Sequence, residues 1–174
     1  LREQKPRSTF YYDYNRQIVR IRTFPRYHPP LYYAALAGIQ WMLADTSILV
    51  RWLACRWFSV ALGVATVALA YGAGRLLWPH RRSRALLLGS LVSFQPMLTF
   101  TTSIINNSAL EIALFSACLL VSLHVIRAGL NWRRGIVLGT LLGLGLLTKI
   151  SFLSLVLLLG LVLAWQVLQS RAEW

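Results

Sequence analysis

Charged residues are scarce in this chain, and their scarcity excludes a water-soluble globule. Only 13% of the 174 residues are Asp, Glu, Lys or Arg, whereas 57% are hydrophobic and the mean hydropathy is +0.57. Charge is absent from residues 57–74, 85–110, 112–126 and 150–170. Each stretch is long enough, or nearly so, to cross a hydrocarbon core of about 30 Å as a helix. We therefore expect an all-α, polytopic protein of the cell membrane.

Acidic residues and cysteines are also few. Five Asp and Glu stand against 18 Lys and Arg, which gives a net charge of +13. Many of the arginines stand at the ends of the apolar stretches, where they orient helices and bind anionic lipid, so membrane lipid rather than nucleic acid is the expected partner. Cys55 and Cys118 have no metal-ligand spacing and lie in or beside apolar runs, which indicates small buried side chains rather than a disulfide or zinc pair.

Basic residues between the apolar stretches predict the topology. They form two clusters: Arg75, His80, Arg81, Arg82 and Arg84, then Arg127, Arg133 and Arg134. Between the clusters the chain crosses twice and turns through a Thr- and Asn-rich connection without a basic residue, so the positive-inside rule places the clusters in the cytoplasm and the connection outside. Five crossings are predicted, at about 54–77, 84–104, 108–127, 133–149 and 151–170. The fourth carries Gly135, Gly139 and Gly143, a spacing that predicts close helix packing.

The chain divides into an outer segment, residues 1–50, and a transmembrane helical bundle, residues 51–174. Residues 1–28 combine seven Lys or Arg with many aromatic rings, which is typical of a membrane-interface segment. Residues 31–44 are apolar but would span only about 21 Å, which favours a juxtamembrane helix in the outer interface. The alternative is a tilted span that places residues 1–28 inside, and the positive-inside rule alone favours that reading.

Polar residues in three separate motifs are expected to meet at the outer side. The candidate binding residues are His28, Tyr32, Tyr33, Asn106, Asn107, Glu111 and Lys149. A carboxylate one turn inside a membrane helix is costly unless it faces water or a partner, so Glu111 predicts a polar cavity. Lys149 is the only ionisable residue between Arg134 and Arg171, and its ammonium predicts contact with an anionic group such as a phosphate. Arg51 or Arg56 is the alternative phosphate site.

Each motif also has a purely structural reading. The two prolines after His28 could simply start a helix, with Tyr32 and Tyr33 as interface anchors. Asn106 or Asn107 could cap the third crossing, with Glu111 in its first turn complementing the helix dipole. Lys149 could be an anchor that snorkels to the interface.

The order of these motifs resembles a known family. A His-Pro-Pro-Leu-Tyr-Tyr turn at residues 28–33 precedes an Arg-flanked crossing. A Pro-containing crossing then leads to Asn-Asn-Ser-Ala-Leu at 106–110, and a Gly-rich crossing ends in Leu-Leu-Thr-Lys at 146–149. The pattern resembles the polyprenyl-phosphate-dependent glycosyltransferases of the GT-C superfamily, related to protein O-mannosyltransferases and the lipid A aminoarabinose transferase. It covers residues 28 to about 168.

The resemblance implies a site on the extracytoplasmic face, where a polyprenyl-phosphate-linked sugar donates its glycosyl group to an acceptor. It also implies a preceding transmembrane helix and an outer-loop acid that acts as a base or as the ligand of a divalent metal. That helix is absent from this sequence, and Asp13 is the candidate catalytic acid. Tyr27 and Ser108 stand where the family often has acids, so activity is expected once the missing helix and acid complete the chain.

Two other functions stay open on the sequence. A non-enzymatic membrane subunit packed in a larger complex would also explain the missing acids. A transporter is less well supported, because no inverted repeat and no broken-helix pair beyond Pro96 is evident.

Overall fold

The computed structural model describes residues 9–14, 17–22 and 29–160. Two antiparallel strands come first, β1 (Thr9–Tyr14) and β2 (Gln17–Arg22), and Phe10 pairs with Ile21 in their register. This hairpin lies within the interface segment, and the sequence pattern did not predict it. Every later element among the described residues is helical, which confirms the all-α class for the membrane part.

Seven helices follow the hairpin. They are α1 (Leu31–Met42), α2 (Ile48–Leu77), α3 (Arg82–Ser93), α4 (Pro96–Ser103), α5 (Asn107–Ala128), α6 (Trp132–Leu146) and α7 (Ile150–Gly160). The last begins with a 3₁₀ turn, Ile150–Phe152.

Local sequence explains where these helices begin. Ser47, Asn106 and Asn131 precede α2, α5 and α6, and each side chain accepts a hydrogen bond from a main-chain N–H of the first turn. Asn106 takes this capping role as predicted, through Oδ1 and the Ser108 N–H at 3.0 Å. Gly129 adopts a φ of 74° in the turn after α5, a conformation that glycine accepts without steric cost.

A bend separates α3 from α4. The two axes differ by 58° across a short break that ends at Pro96. Proline has no N–H to donate and its ring clashes with the preceding turn, so a continuous helix cannot pass through this position unchanged. The second predicted crossing, at about 84–104, is therefore a broken helix.

Long-range contacts establish two ends of the bundle. Arg127 at the end of α5 donates from Nη2 to the Leu77 carbonyl at the end of α2, at 3.0 Å. At the other end, Arg56 near the start of α2 donates from Nε to the Ser103 carbonyl, which ends α4, at 2.9 Å. Helices α2 and α5 therefore run in the same direction. The pair α3 and α4, which joins them in sequence, runs in the opposite direction. We call these the arginine-rich end and the opposite end.

Two buried clusters hold the helices together. One is made of Cys118, Leu138, Phe152, Leu155 and Leu159 and joins α5, α6 and α7. The other is made of Tyr32, Leu36 and Cys55 and joins α1 to α2. Both cysteines are free and buried, as predicted.

The number of crossings is smaller in the described residues than the predicted five. Helices α2 and α5 are long and apolar enough to cross a membrane, and α3 with α4 adds a third span if the bent pair counts as one. Helix α6 has only 15 residues. Half of the fifth predicted crossing, residues 161–170, lies outside the described part of the chain. Helix α1 has 12 residues, too few to span.

The glycine ridge of α6 packs against nothing that the structure describes. A Cβ added at Gly135, Gly139 or Gly143 would meet no described atom within 4 Å. The close contacts are made instead by Gly63 and Gly74 of α2, where an added Cβ would lie 2.9 Å from Thr102 and 2.7 Å from Ala85. Within the described residues, the prediction of a packing ridge along Gly135, Gly139 and Gly143 is wrong, and the glycine of α6 that admits a close neighbour is Gly145, which packs against Phe152.

Candidate functional site

The three polar motifs converge at the opposite end of the bundle. The Leu31 N–H, at the start of α1, donates to the Leu147 carbonyl in the α6–α7 connection at 3.0 Å. Lys149 in that same connection reaches the first turns of α5. The starts of α1 and α5 and the end of α6 therefore form one cluster, as the sequence predicted.

Lys149 is the centre of this cluster. Its Nζ lies 2.9 Å from Oε2 of Glu111, with which it forms an ion pair, and donates to Oγ of Ser108 at 3.1 Å. The Lys149 side chain is 33% exposed and that of Glu111 is 18% exposed. An ammonium has three donors, so one Lys149 N–H remains beyond these two partners.

Glu111 is held on both of its oxygens. Oε1 accepts a hydrogen bond from the Ser151 hydroxyl, while Oε2 faces the Lys149 ammonium. The carboxylate therefore links α5 to the start of α7. Glu111 is the fifth residue of α5, past the first turn, so its predicted place in that first turn is wrong. Its side chain instead contacts Lys149 and Ser151, which are 38 and 40 positions away in sequence.

Asn107 lies beside this network and is 5% exposed. Its Nδ2 is buried and has no hydrogen-bond partner among the described residues. A buried amide without a partner is costly, and such groups are rare in folded proteins. Asn107 thus differs from its neighbour Asn106, whose side chain is occupied by the α5 cap.

Tyr32 supports the cluster from within the protein. Its side chain is fully buried, its hydroxyl lies 2.8 Å from Oγ of Ser59, and its ring packs 6.1 Å from that of Phe58. Burial raises the pKa of the Tyr32 hydroxyl above its usual 10.0, while the Ser59 hydroxyl and the main chain of Asn106 act in the opposite direction. Tyr33, which meets Tyr32 edge-on at 5.6 Å, is 37% exposed and faces outward.

Arginines of α2 add positive charge at the same end. The Arg56 guanidinium lies 4.7 Å from the Trp52 ring, in addition to its bond to Ser103. Arg51 lies one turn earlier, and its Nε is buried without a partner among the described residues. The sequence predicts them only as alternative phosphate ligands, because Arg-flanked membrane helices are common and no local pattern indicates their tertiary contacts.

Two predicted site residues lie partly or wholly outside the part of the chain that the structure describes. Asp13 belongs to β1 and pairs with Ile18 in the hairpin, and only its backbone is described. His28 lies outside the described residues.

The described residues do not form a site for the divalent metal that the resemblance implies. No group of three or more His, Cys, Asp or Glu comes together within them. Glu111, the acid of the cluster, already binds an ammonium and a hydroxyl.

Comparison with known proteins gives the family. A family model described as dolichyl-phosphate-mannose-protein mannosyltransferase matches residues 11–173. No curated protein and no solved structure matches the chain. The match spans nearly the whole sequence and includes every motif of the polar cluster. The chain belongs to the dolichyl-phosphate-mannose-protein mannosyltransferase family, whose members are membrane glycosyltransferases that use a polyprenyl-linked sugar.

Proposed function

We propose that this chain forms the donor side of a membrane glycosyltransferase that moves a sugar from a polyprenyl-phosphate carrier to an acceptor on the extracytoplasmic face. The observation that carries the proposal is the polar cluster around Lys149, built from three chain segments at the end of the bundle away from the arginine clusters. By the positive-inside rule that end faces outward.

Lys149 is the proposed ligand of the donor phosphate. Two of its N–H groups bind Ser108 and Glu111, and the third is available to a phosphate oxygen. Charge-assisted hydrogen bonds of this kind are shorter and stronger than neutral ones. Glu111 holds the ammonium in place, and the leaving phosphate gains electrostatic stabilisation as the glycosyl bond breaks.

Charge balance calls for a second cation. A polyprenyl-phosphate sugar is a phosphodiester with one negative charge, whereas Glu111 already offsets the charge of Lys149. Arg51 and Arg56 lie at the same end of the bundle and carry no described carboxylate partner. We assign them a share of the phosphate charge, with Asn107 as a neutral donor through its unpartnered Nδ2.

Tyr32 has a positioning role in this proposal. Because its buried hydroxyl is already paired with Ser59, we assign it no contact with the donor, and it instead fixes the start of α1 against α2. Tyr33 and His28 remain proposed donor contacts, and Asp13 remains the proposed acid that activates the acceptor hydroxyl.

A second candidate function is a non-enzymatic membrane subunit. The Lys149–Glu111 ion pair favours it, because such a pair could serve only to tie α5 to the α6–α7 connection. Substitution of Lys149 separates the two functions.

The experiment uses the full-length protein in lipid nanodiscs and measures binding of a polyprenyl-phosphate sugar. Lys149→Met removes the ammonium, and we expect a loss of about tenfold to a hundredfold in affinity, from about 1.5–3 kcal/mol for a hydrogen bond to a charged group. Lys149→Arg should retain part of the affinity, since it keeps the charge.

The double variant Lys149→Met/Glu111→Gln is the control. Lys149→Met alone leaves Glu111 without its cation, which could disturb the fold, and the glutamine removes that unpaired charge. If Lys149 binds phosphate, the double variant should show the same loss of donor affinity as Lys149→Met. Normal donor binding by the double variant would show that Lys149 only neutralises Glu111, and the subunit function would then be favoured.

A further inference from the structure

The arginine-rich end of the bundle carries a second, unassigned cluster of positive charge. The hydrogen bond from Arg127 to the Leu77 carbonyl, at 3.0 Å, brings the α5–α6 connection beside the α2–α3 connection. Arg134 closes its own connection by donating to the carbonyls of Ala128 and Gly129 at 2.8 and 2.6 Å. The two connections therefore form one continuous surface, although about fifty residues separate them in sequence.

Most cations of this surface are free to bind a ligand. Arg81, Arg82, Arg84 and Arg133 are exposed, and none makes a side-chain hydrogen bond or ion pair with a described residue. Even Arg127 and Arg134 donate to carbonyls rather than carboxylates, so their charges are not neutralised.

No acid of residues 29–160 lies near this surface. The acids in residues 29–160 are Asp45 and Glu111, and Glu111 is paired with Lys149 at the opposite end. Asp45 precedes α2, whose 30 residues place it about 45 Å from Leu77. The start of α3 adds to the positive potential, because its cap residue is Arg81 and no side chain caps its free N–H groups.

Apolar groups stand directly beside the cations. Trp132 is 73% exposed and Leu130 is 59% exposed, and the Arg133 guanidinium lies 6.0 Å from the Trp132 ring. An exposed indole beside an arginine is typical of the bilayer interface, where the ring lies at headgroup level and the guanidinium reaches a phosphate. This pairing fits a lipid, which has both an acyl chain and a phosphate, better than it fits a free phosphate ion.

We propose that the α2–α3 and α5–α6 connections together form a binding site for the headgroup of an anionic phospholipid. Arg81, Arg82 and Arg84 bind the phosphate beside the start of α3, while Arg133 and Trp132 hold the same lipid from the start of α6. The site lies at the end of the bundle away from Lys149 and is independent of the proposed donor site.

The test measures binding of phosphatidylglycerol to the full-length protein by native mass spectrometry, and its thermal unfolding in phosphatidylcholine nanodiscs with and without phosphatidylglycerol. The wild type should unfold at a higher temperature when the anionic lipid is present. The variant Arg81→Gln/Arg82→Gln/Arg84→Gln should lose most of that increase and bind the lipid more weakly, by about fivefold for each arginine removed. Equal unfolding temperatures of variant and wild type in phosphatidylcholine alone establish that the variant folds.

Two further arms make the result specific. A charge-matched variant, Arg2→Gln/Lys5→Gln/Arg7→Gln, should keep the lipid effect, whereas an equal loss in both variants would mean that only overall charge matters and would overturn the proposal. Inorganic phosphate should not raise the unfolding temperature. If it does so as strongly as the lipid, the site is a phosphate site and the lipid assignment is wrong.

Discussion

A single charged side chain inside a membrane is energetically unfavourable, and Lys149 and Glu111 avoid this by forming an ion pair with each other. They are 38 positions apart, and their 2.9 Å ion pair depends on α5 and the α6–α7 connection packing together. The pair remains partly exposed, so solvent screens the two charges and the pair contributes little to the free energy of unfolding. That exposure is also what makes the ammonium accessible to a ligand.

At the residue scale, a substitution of Tyr32 tests whether its hydrogen bond to Ser59 stabilises the packing of α1 against α2. Tyr32→Phe keeps the ring in place but removes the hydroxyl that meets Ser59 at 2.8 Å. Because this leaves a buried serine with fewer partners, we expect the free energy of unfolding to fall by about 1–2 kcal/mol.

Tyr33→Phe is the matched control for thermal unfolding in detergent. Tyr33 is 37% exposed, and its hydroxyl makes no hydrogen bond to a described residue, so the change should have little effect. Equal destabilisation by the two substitutions would contradict the role given to the Tyr32–Ser59 bond.

At the scale of elements, the contact between α2 and α3 depends on a glycine. A Cβ at Gly74 would lie 2.7 Å from the Cα of Ala85, and because that neighbour is backbone, the two helices would have to separate. We expect Gly74→Ala to destabilise the protein by about 1–3 kcal/mol, the usual cost of overpacking.

Gly139→Ala provides the comparison for the same measurement, because a Cβ there meets no described atom within 4 Å. Alanine is the better helix former by about 1 kcal/mol, so this variant should be at least as stable as the wild type. A loss of stability at Gly139 equal to that at Gly74 would instead mean that the α6 ridge packs against a neighbour outside the described residues.

At the scale of the whole molecule, the membrane topology determines which compartment the arginine-rich end faces and which the polar cluster around Lys149 faces. With Cys55 and Cys118 replaced by alanine, single cysteines at Ser83 and Ile105 should react with a membrane-impermeant thiol reagent from opposite sides. Ser83 lies at the start of α3, in the arginine-rich end, and Ile105 lies between α4 and α5 at the opposite end.

Ser83 should label from the cytoplasm and Ile105 from outside, as intact and inverted vesicles will report. The proposed donor site would move to the cytoplasmic face if Ile105 labelled only from that side. Labelling of both cysteines from one side would mean that α3 and α4 form a re-entrant loop rather than a bent span.

The sequence by itself determined the membrane setting, the helical class and the family pattern. These depend on properties that lie along the chain: charge-free stretches, basic clusters at their ends, and motifs in a fixed order. The cap at Asn106 was predictable for the same reason, because a cap bonds to N–H groups only two or three residues away.

Only the tertiary structure decided the partners of the site residues. Nothing near Lys149 in sequence indicated that Glu111 would neutralise it, and nothing near Tyr32 indicated Ser59. The packing at Gly74, rather than along the α6 ridge, likewise depends on which helix lies beside which. Apolar composition drives helices into the bilayer whatever their neighbours, whereas ion pairs and close contacts require two distant segments to meet in one geometry.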